Sequence, residues 1–413
     1  MKTLLQINSV INTGSTGRIA EEIGQKAIAA GWQSYIAYGR ETNRSSQSHK
    51  IRIGNDWDIR MHGVQTRLLD NHSLGLSSKG ATKKLISQIE EVNPDIIHLH
   101  NLHGYYLNIE VLFNYLATKD IPIVWTLHDC WSFTGHCAYY DAVGCYKWKI
   151  ECHSCPQTNT YPASFLLDRS RKNFLEKREL FNSVSNLTLV PVSNWLKSEV
   201  ENSFLKDNNI KRIYNGVDIN TFIPLEISNI REKYNVGNKF MMIGVAAIWA
   251  SRKGLEDYIE LSNMLNDDEV IVLVGLSDKQ LSNLPSNIIG VKRTEDIHEL
   301  AALYSTSDIV LNLSYEETFG LTTVEGMSCG TPGIVYNKTA SPELITKETG
   351  FIVEAGNMEQ LLNAIATIKK QGKTYYSGNC RGRAEEYFNK NDRYQEYLEL
   401  YEEILNKRTN IHN

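Results

Sequence analysis

The chain has 413 residues, 42% of them hydrophobic and 22% charged, with 43 Lys+Arg against 48 Asp+Glu. That composition is that of a soluble globular protein, and the length exceeds one ordinary core, so two domains of roughly 200 residues are expected. Residues 1–205 hold 21 Lys+Arg and 19 Asp+Glu (net +2) and the remainder 22 and 29 (net −7), too weak an imbalance to argue for nucleic acid but compatible with a first half that faces something anionic. No run approaches the ~18 apolar residues of a membrane-spanning helix. Residues 1–8 read as a strand rather than a signal peptide, so the expected location is cytoplasmic.

In chain order, residues 3–8 read as a strand, 18–30 as a helix and 34–38 as a strand; a helix at 82–92, a strand at 96–99, a helix at 109–118 and a strand at 123–127 follow. Such alternation implies an α/β fold, a parallel sheet with helices on both faces. The second half repeats it, with strands at 240–248, 270–275, 309–313 and 333–336 and helices at 255–265, 297–305 and 358–370. Between the halves, Asn215-Gly216 signals a turn and Pro224 ends regular structure, which reads as a linker. A long final helix is expected at 383–407.

The stretch Leu313 to Pro332 reads as a strand end, a turn and a helix start. In an α/β sheet that junction is where ligands bind, because free amides at a helix N-terminus point into the crevice beyond the strand ends. Glu317 sits on the turn, facing solvent and ligand, and Glu325 lies two helical turns inside, so both can lie on the crevice side. A carboxylate accepts paired bonds from neighbouring hydroxyls, which suits the diols of a sugar or ribose.

Glu317-Thr318-Phe319-Gly320, Glu325-Gly326-Met327 and Cys329-Gly330-Thr331-Pro332 resemble the Glu-x7-Glu signature of retaining glycosyltransferases of family 4. The resemblance implies the GT-B fold, two Rossmann-like domains facing each other across a cleft, with a C-terminal helix crossing back to the N-terminal domain. On that basis residues 1–205 form an acceptor-side domain with a Cys-rich insert at 130–161 and a returning helix at 390–413. Residues 206–389 form the nucleotide-sugar domain. Asn215-Gly216-Val217-Asp218, followed by Phe222, also resembles the family's interdomain segment.

Asn12-Thr13-Gly14-Ser15-Thr16-Gly17 lies between the first strand and helix. Its glycines let amides approach a ligand closely, or simply make a tight turn; the resemblance places Gly14 and Gly17 in a loop that closes over donor phosphates and acceptor. Arg252 and Lys253 open the first helix of the second half, a fork and a point charge suited to a diphosphate. Family members carry an Arg five residues before the Lys, where this chain has Ile248, so Lys253 is expected to matter more than Arg252. His128 ends a strand, and the resemblance implies that it contacts the donor sugar near the reacting centre. His98, His100 and His103 read as lining or core residues.

Five cysteines, 130, 137, 145, 152 and 155, fall close together with His136 and His153. Cys152-x2-Cys155 has the spacing of half a structural zinc site. The residues leave open buried reduced thiols, a four-thiolate zinc knuckle from Cys137, Cys145, Cys152 and Cys155, and an iron–sulfur cluster. Trp131, Phe133, Tyr139, Tyr140, Tyr146 and Trp148 could stack on sugars or fill the insert's small core. Residues 163–182 read as a surface helix or as an amphipathic one for an anionic membrane.

The resemblance implies a retaining hexosyltransferase that moves a sugar from a UDP- or GDP-sugar to a glycan or lipid-linked acceptor in bacterial polysaccharide biosynthesis, with peripheral contact at the inner membrane face. The His-Asp-Cys-Trp insert is similar to that of colanic-acid-type enzymes. Glu317 would bind donor sugar hydroxyls, Glu325 the ribose diol, and the amides of Phe319, Gly320 and Leu321 the sugar and diphosphate. Lys253, Arg252 and helix-terminus amides would neutralise charge on the departing diphosphate, so transfer needs no cofactor. A catalytically silent sugar-nucleotide or glycan-binding partner and a nucleotide-sugar isomerase of the same fold are the alternatives.

Overall fold

A computed structural model describes residues 1–41, 44–225 and 229–412. The chain divides into two compact units, Met1–Ile213 with Tyr394–Asn413, and Tyr214–Arg393. The N-terminal unit is built on strands β1 (Thr3–Val10), β2 (Gln33–Arg40), β3 (His49–Arg52), β4 (Ile96–Leu99), β5 (Ile123–Leu127), β6 (Leu187–Pro191) and β7 (Asn209–Ile210), all parallel, in the order 3-2-1-4-5-6-7. The strands are short apolar runs because helices cover both faces: Leu4, Leu5 and Ile7 of β1 are wholly buried although they alternate in direction. The order reverses between β1 and β4, and that switch point opens a crevice at the carboxyl ends of the strands.

The C-terminal unit repeats the plan with β8 (Phe240–Val245), β9 (Glu269–Val274), β10 (Ile288–Val291), β11 (Ile309–Asn312), β12 (Gly333–Tyr336) and β13 (Gly350–Val353), parallel in the order 10-9-8-11-12-13. Its switch point lies between β8 and β11. No helix among the described residues is long and apolar enough to cross a membrane.

Strands β3, β6, β7, β10 and β13 and the helix Asn194–Glu201 have no counterpart among the expected elements, and three further helical segments also depart from expectation. The final helix is two helices, Lys373–Phe388 and Lys390–His412, parted at an extended Asn389. Val217 explains the break, since its N–H donates to Phe388 O (2.7 Å) while its C=O accepts from Lys390 N–H (3.0 Å); those groups cannot also serve one continuous helix. Gly216 permits the close crossing, because a Cβ there would lie 2.3 Å from Lys390 Cα. The segment expected as a surface helix at 163–182 is helical only over Ser170–Asn182 and buries Phe174, Lys177 and Phe181. Finally, the helix Asp56–Leu69 has no counterpart in the expected elements, because its buried residues are His62, Gly63 and Thr66 and its apolar ones face outward.

The last helix returns to the N-terminal unit for an apolar reason. Tyr394, Tyr397, Leu398 and Tyr401 complete a core with Leu4, Ile19, Ile23, Ile96, Val124 and Val190, and the Tyr401 hydroxyl lies 2.6 Å from His98 Nδ1. Tyr401→Ala is expected to cost about 3–5 kcal/mol. Tyr401→Phe, which only removes the His98 partner, should cost about 1–3 kcal/mol. Denaturant unfolding of the two variants measures both.

Candidate functional site

In the C-terminal unit the site forms where β8 and β11 end. The turn Ser251–Lys253 and the loop after β11 are laced by Tyr315 N–H donating to Arg252 O (2.8 Å) and Arg252 Nη1 donating to Glu316 O (3.0 Å). Gly254 has φ +70, and a Cβ there would sit 2.1 Å from Leu313 O, so only glycine lets the two loops meet. From the helix Leu255–Ser262, the Tyr258 hydroxyl donates to Leu311 O (2.7 Å) and pins the end of β11.

This lacing brings Lys253 Nζ onto the Glu317 carboxylate as an ion pair with side chains only 16% and 13% exposed. Ser314 Oγ donates to the same carboxylate (3.2 Å), and Glu317 N–H donates to Thr339 Oγ1 (2.8 Å). The expectation of a solvent-facing turn carboxylate is therefore corrected: Glu317 is a mostly buried, paired group. Burial alone would raise its carboxyl pKa, but Lys253 and Arg252 outweigh it and hold the group below the ordinary value. Burial lowers the Lys253 ammonium, with Glu317 pulling the other way.

Gly320, at φ +104, starts the helix Leu321–Ser328 and supplies no side-chain cap; Gly254 does the same for Leu255–Ser262. First-turn amides without a cap are met by water or by an anion. Phe319 is buried against Tyr214 and Phe388 and has only backbone to offer a ligand. Glu325 is buried on its helix, where Tyr304 Oη donates to it (3.1 Å). Ile248, at the position of the family's arginine, is 75% exposed.

In the N-terminal unit, His128 follows β5 and belongs to a directional chain. Gln6 Nε2 donates to Ala20 O (2.7 Å), which turns Gln6 Oε1 towards His100 Nε2 (3.0 Å); His100 Nδ1 then faces His128 Nε2 (3.2 Å). Burial pushes His98 and His100 far down and His128 to about 4, so each ring carries one proton at neutral pH. His100 must donate to Gln6 and accept from His128, and the lone pair of His128 resides on Nδ1. Neither Gln6 nor this relay is legible in the sequence, where its members stand 94 and 28 residues apart. Gly14 has φ +63, and Gly17 packs the first helix onto the end of β1, where a Cβ would be 3.0 Å from Val10 Cγ2. The Thr13 side chain makes no cap bond to that helix.

The Cys-rich insert is held mainly by aromatic packing of Trp131, Phe133, Tyr140 and Trp148, all buried, while Tyr146 is half exposed. Cys137, Cys145, Cys152 and Cys155 line one small cavity with His136. Beside it, Asp70, His72 and His136 have donor atoms within 4.8 Å of one another, a cluster the sequence did not suggest. Asp70 Oδ1 meets His136 Nδ1 (2.7 Å) and His72 Nε2 (2.6 Å), Asp70 Oδ2 accepts from Arg169 N–H (2.6 Å) and His72 Nδ1 accepts from the Trp131 indole (3.4 Å), while His136 Nε2 is buried without a hydrogen-bond partner.

With this geometry in place, comparison with known proteins identifies the chain. Residues 16–221 match the family described as Glycosyltransferase Family 4 and residues 226–384 that described as Glycosyl transferases group 1. The chain is a family 4-type glycosyltransferase. It is 25% identical over 412 residues to the putative colanic acid biosynthesis glycosyl transferase WcaC of Escherichia coli, covering 94% of this chain and 98% of that one. It is 25% identical over 222 residues, 50% of this chain and 57% of the other, to the N,N'-diacetylbacillosaminyl-diphospho-undecaprenol alpha-1,3-N-acetylgalactosaminyltransferase of Campylobacter jejuni. Among solved structures, sucrose-phosphate synthase from Thermosynechococcus elongatus matches at TM-score 0.73 with 17% identity, over 98% of this chain and 100% of that one. Anabaena HepE in complex with UDP-glucose matches at TM-score 0.68 with 17% identity and the same coverage. Both place this glycosyltransferase in the GT-B fold.

Two measurements test the electrostatics. Lys253→Ala strands the Glu317 charge and is expected to cost about 3 kcal/mol, more than Arg252→Ala; equal unfolding midpoints would refute the buried pair. In the N-terminal unit, burial also holds His72 at about 4 and His62 at about 3. Unfolded histidines bind protons below about 6.5, so between there and pH 4 the unfolded state holds more protons and stability falls as pH falls. The melting temperature should drop from pH 7 to pH 5, and His62→Gln should flatten that slope.

Proposed function

We propose that this glycosyltransferase moves a hexose from a UDP- or GDP-sugar to a glycan or lipid-linked acceptor in bacterial polysaccharide biosynthesis, with retention at the anomeric carbon. The observation that carries the reading is the Lys253–Glu317 pair set beside two helix N-termini without side-chain caps. Such a group holds a cation for phosphate, a carboxylate for sugar hydroxyls and amides for either. The UDP and UDP-glucose complexes of HepE and the name of the E. coli relative support donor and pathway.

On donor binding the Lys253 ammonium turns to the diphosphate and Glu317 accepts sugar hydroxyls, so the two groups that satisfy each other are both reassigned. As the bond from the anomeric carbon to phosphate oxygen breaks, charge grows on that oxygen beside Lys253 and the helix amides. The acceptor hydroxyl attacks from the same face and passes its proton to the leaving phosphate oxygen. No side chain acts as base in this scheme. The Nδ1 lone pair assigned to His128 suits it to accept a hydrogen bond from a sugar hydroxyl.

A lipid-linked acceptor is favoured by the helix Asp56–Leu69. Trp57, Met61, Val64 and Leu68 form a stripe at helical spacing, 67%, 39%, 47% and 43% exposed, with Arg60 and Arg67 exposed on its flank. Phe165 and Leu166 extend it, their segment tied to the helix by Phe165 N–H donating to Arg67 O (2.8 Å). An apolar stripe flanked by arginines complements an anionic lipid surface. The helix Ser170–Asn182, considered for that role from the sequence, spends its apolar face on the core.

Retention is checked by the anomeric configuration of the product formed from each donor. Glu317→Ala is expected to abolish transfer, and Lys253→Ala to lower kcat roughly ten- to a hundredfold, for about 1.5–3 kcal/mol of leaving-group stabilisation. Product formed without acceptor would favour the isomerase reading, and donor binding without turnover the silent one. The chain should float with phosphatidylglycerol vesicles and not with phosphatidylcholine vesicles, and Trp57→Glu/Leu68→Glu should weaken that binding at least tenfold. Dimerisation through the same face, lost in that variant, would overturn the lipid assignment.

A further inference from the structure

We propose that Cys137, Cys145, Cys152 and Cys155 hold one structural zinc ion in the cavity they line. The four thiols come from separate turns of an insert whose regular structure is two short 3-10 helices, Trp131–Phe133 and Lys147–Lys149. Cys137 and Cys155 are within sulfur hydrogen-bond contact, and no described cysteine is in a disulfide.

Backbone amides point at two of the sulfurs. Gly135 N–H donates to Cys152 Sγ (3.3 Å) and Gln157 N–H to Cys155 Sγ (3.4 Å), the outer layer of amides that orients metal-bound sulfur. Lys147 Nζ staples the Cys152–Cys155 turn through His153 O (3.0 Å) and Ser154 O (2.9 Å). His136, on the same cavity, gives its Nδ1 proton to the Asp70 carboxylate, and its buried Nε2 has no hydrogen-bond partner. The lining thus offers several electron pairs to an ion.

Charge points the same way. Lys177 is wholly buried, donating to Trp131 O (2.8 Å) and Thr134 O (3.1 Å), and among the described residues no carboxylate lies within ion-pair distance of its ammonium. A divalent ion with four thiolates carries a net charge of −2, which adds to the two carbonyls and the Trp131 ring, 3.4 Å from Lys177 Nζ, that otherwise face this buried cation. Loading releases the thiol protons to solvent and changes no oxidation state. A four-sulfur tetrahedral set selects zinc over harder divalent ions. The neighbouring Asp70–His72–His136 cluster, whose ligating atoms lie within 4.8 Å of one another, is the competing site; a first shell of nitrogen and oxygen without sulfur would assign the metal there and overturn the thiolate site.

The test is metal analysis and X-ray absorption on the purified full chain. About one zinc per chain is expected, with a first shell of four sulfurs at about 2.3 Å. Cys145→Ser and Cys155→Ser should each lose the metal, whereas Cys329→Ser and Cys380→Ser, in the other unit, should retain it. Because a ligand variant that fails to fold would also lose metal, the wild-type absorption spectrum decides. Three sulfurs with one nitrogen would overturn the four-thiolate set in favour of His136. Iron with visible absorbance would overturn zinc, and a metal-free chain whose five insert thiols all react in the native state would overturn the site itself.

Discussion

Placing an ammonium and a carboxylate together out of water is the constraint around which the C-terminal unit is arranged. Desolvating either Lys253 or Glu317 alone would cost several kcal/mol, and mutual attraction offsets that only if the geometry is held. The surrounding residues do the holding. Gly254 lets the two loops touch, Tyr258 pins the end of β11, and Ser314 and Thr339 fix the side chain and backbone of Glu317. A pair held in this way matches the proposed donor in polarity, since a sugar diphosphate offers an anion to one partner and hydroxyls to the other.

The N-terminal unit solves a related problem with neutral groups. Five of its histidines have their pKa lowered by burial to about 4 or beyond, and a neutral ring has one donor and one acceptor role to fill. Gln6 sets the direction from one end, because its amide is oriented by Ala20 O. Tyr401 and Thr126 do the same for His98. The last helix therefore contributes more than apolar surface to its core: it supplies the hydroxyl that satisfies a buried imidazole.

What the sequence revealed and what it hid separate along one line. The Glu317 window was legible because its strand, turn, helix start and glycines are contiguous, and short-range chemistry dictates each of them. Eight of the strands and most of the longer helices were legible because continuous apolar runs and 3.6-residue periodicity are local as well, whereas β3, β6, β7, β10 and β13 were not. The Gln6–His100–His128 relay, the Lys177 contacts and the Asp70 cluster join residues tens of positions apart, and no periodicity records such a meeting. The segment 163–182 reads as a surface or amphipathic helix for that reason, since the loop carbonyls that hold Lys177 buried are 46 and 43 positions away.

The helix Asp56–Leu69 shows the same limit from the opposite side. Amphipathic periodicity assumes that apolar residues face inward, and here His62 and Thr66 do so while Trp57, Met61, Val64 and Leu68 face water. The helix's polar inner face is only partly satisfied: His62 Nδ1 meets Ser78 Oγ at 2.8 Å, while His62 Nε2 and Thr66 Oγ1 are buried without a hydrogen-bond partner. Its apolar outer face gains nothing from water, so the arrangement contributes to stability only when something apolar covers it. Such a face, beside Phe165 and Leu166 and with arginines along one edge, is what the proposed contact with an anionic lipid surface rests on.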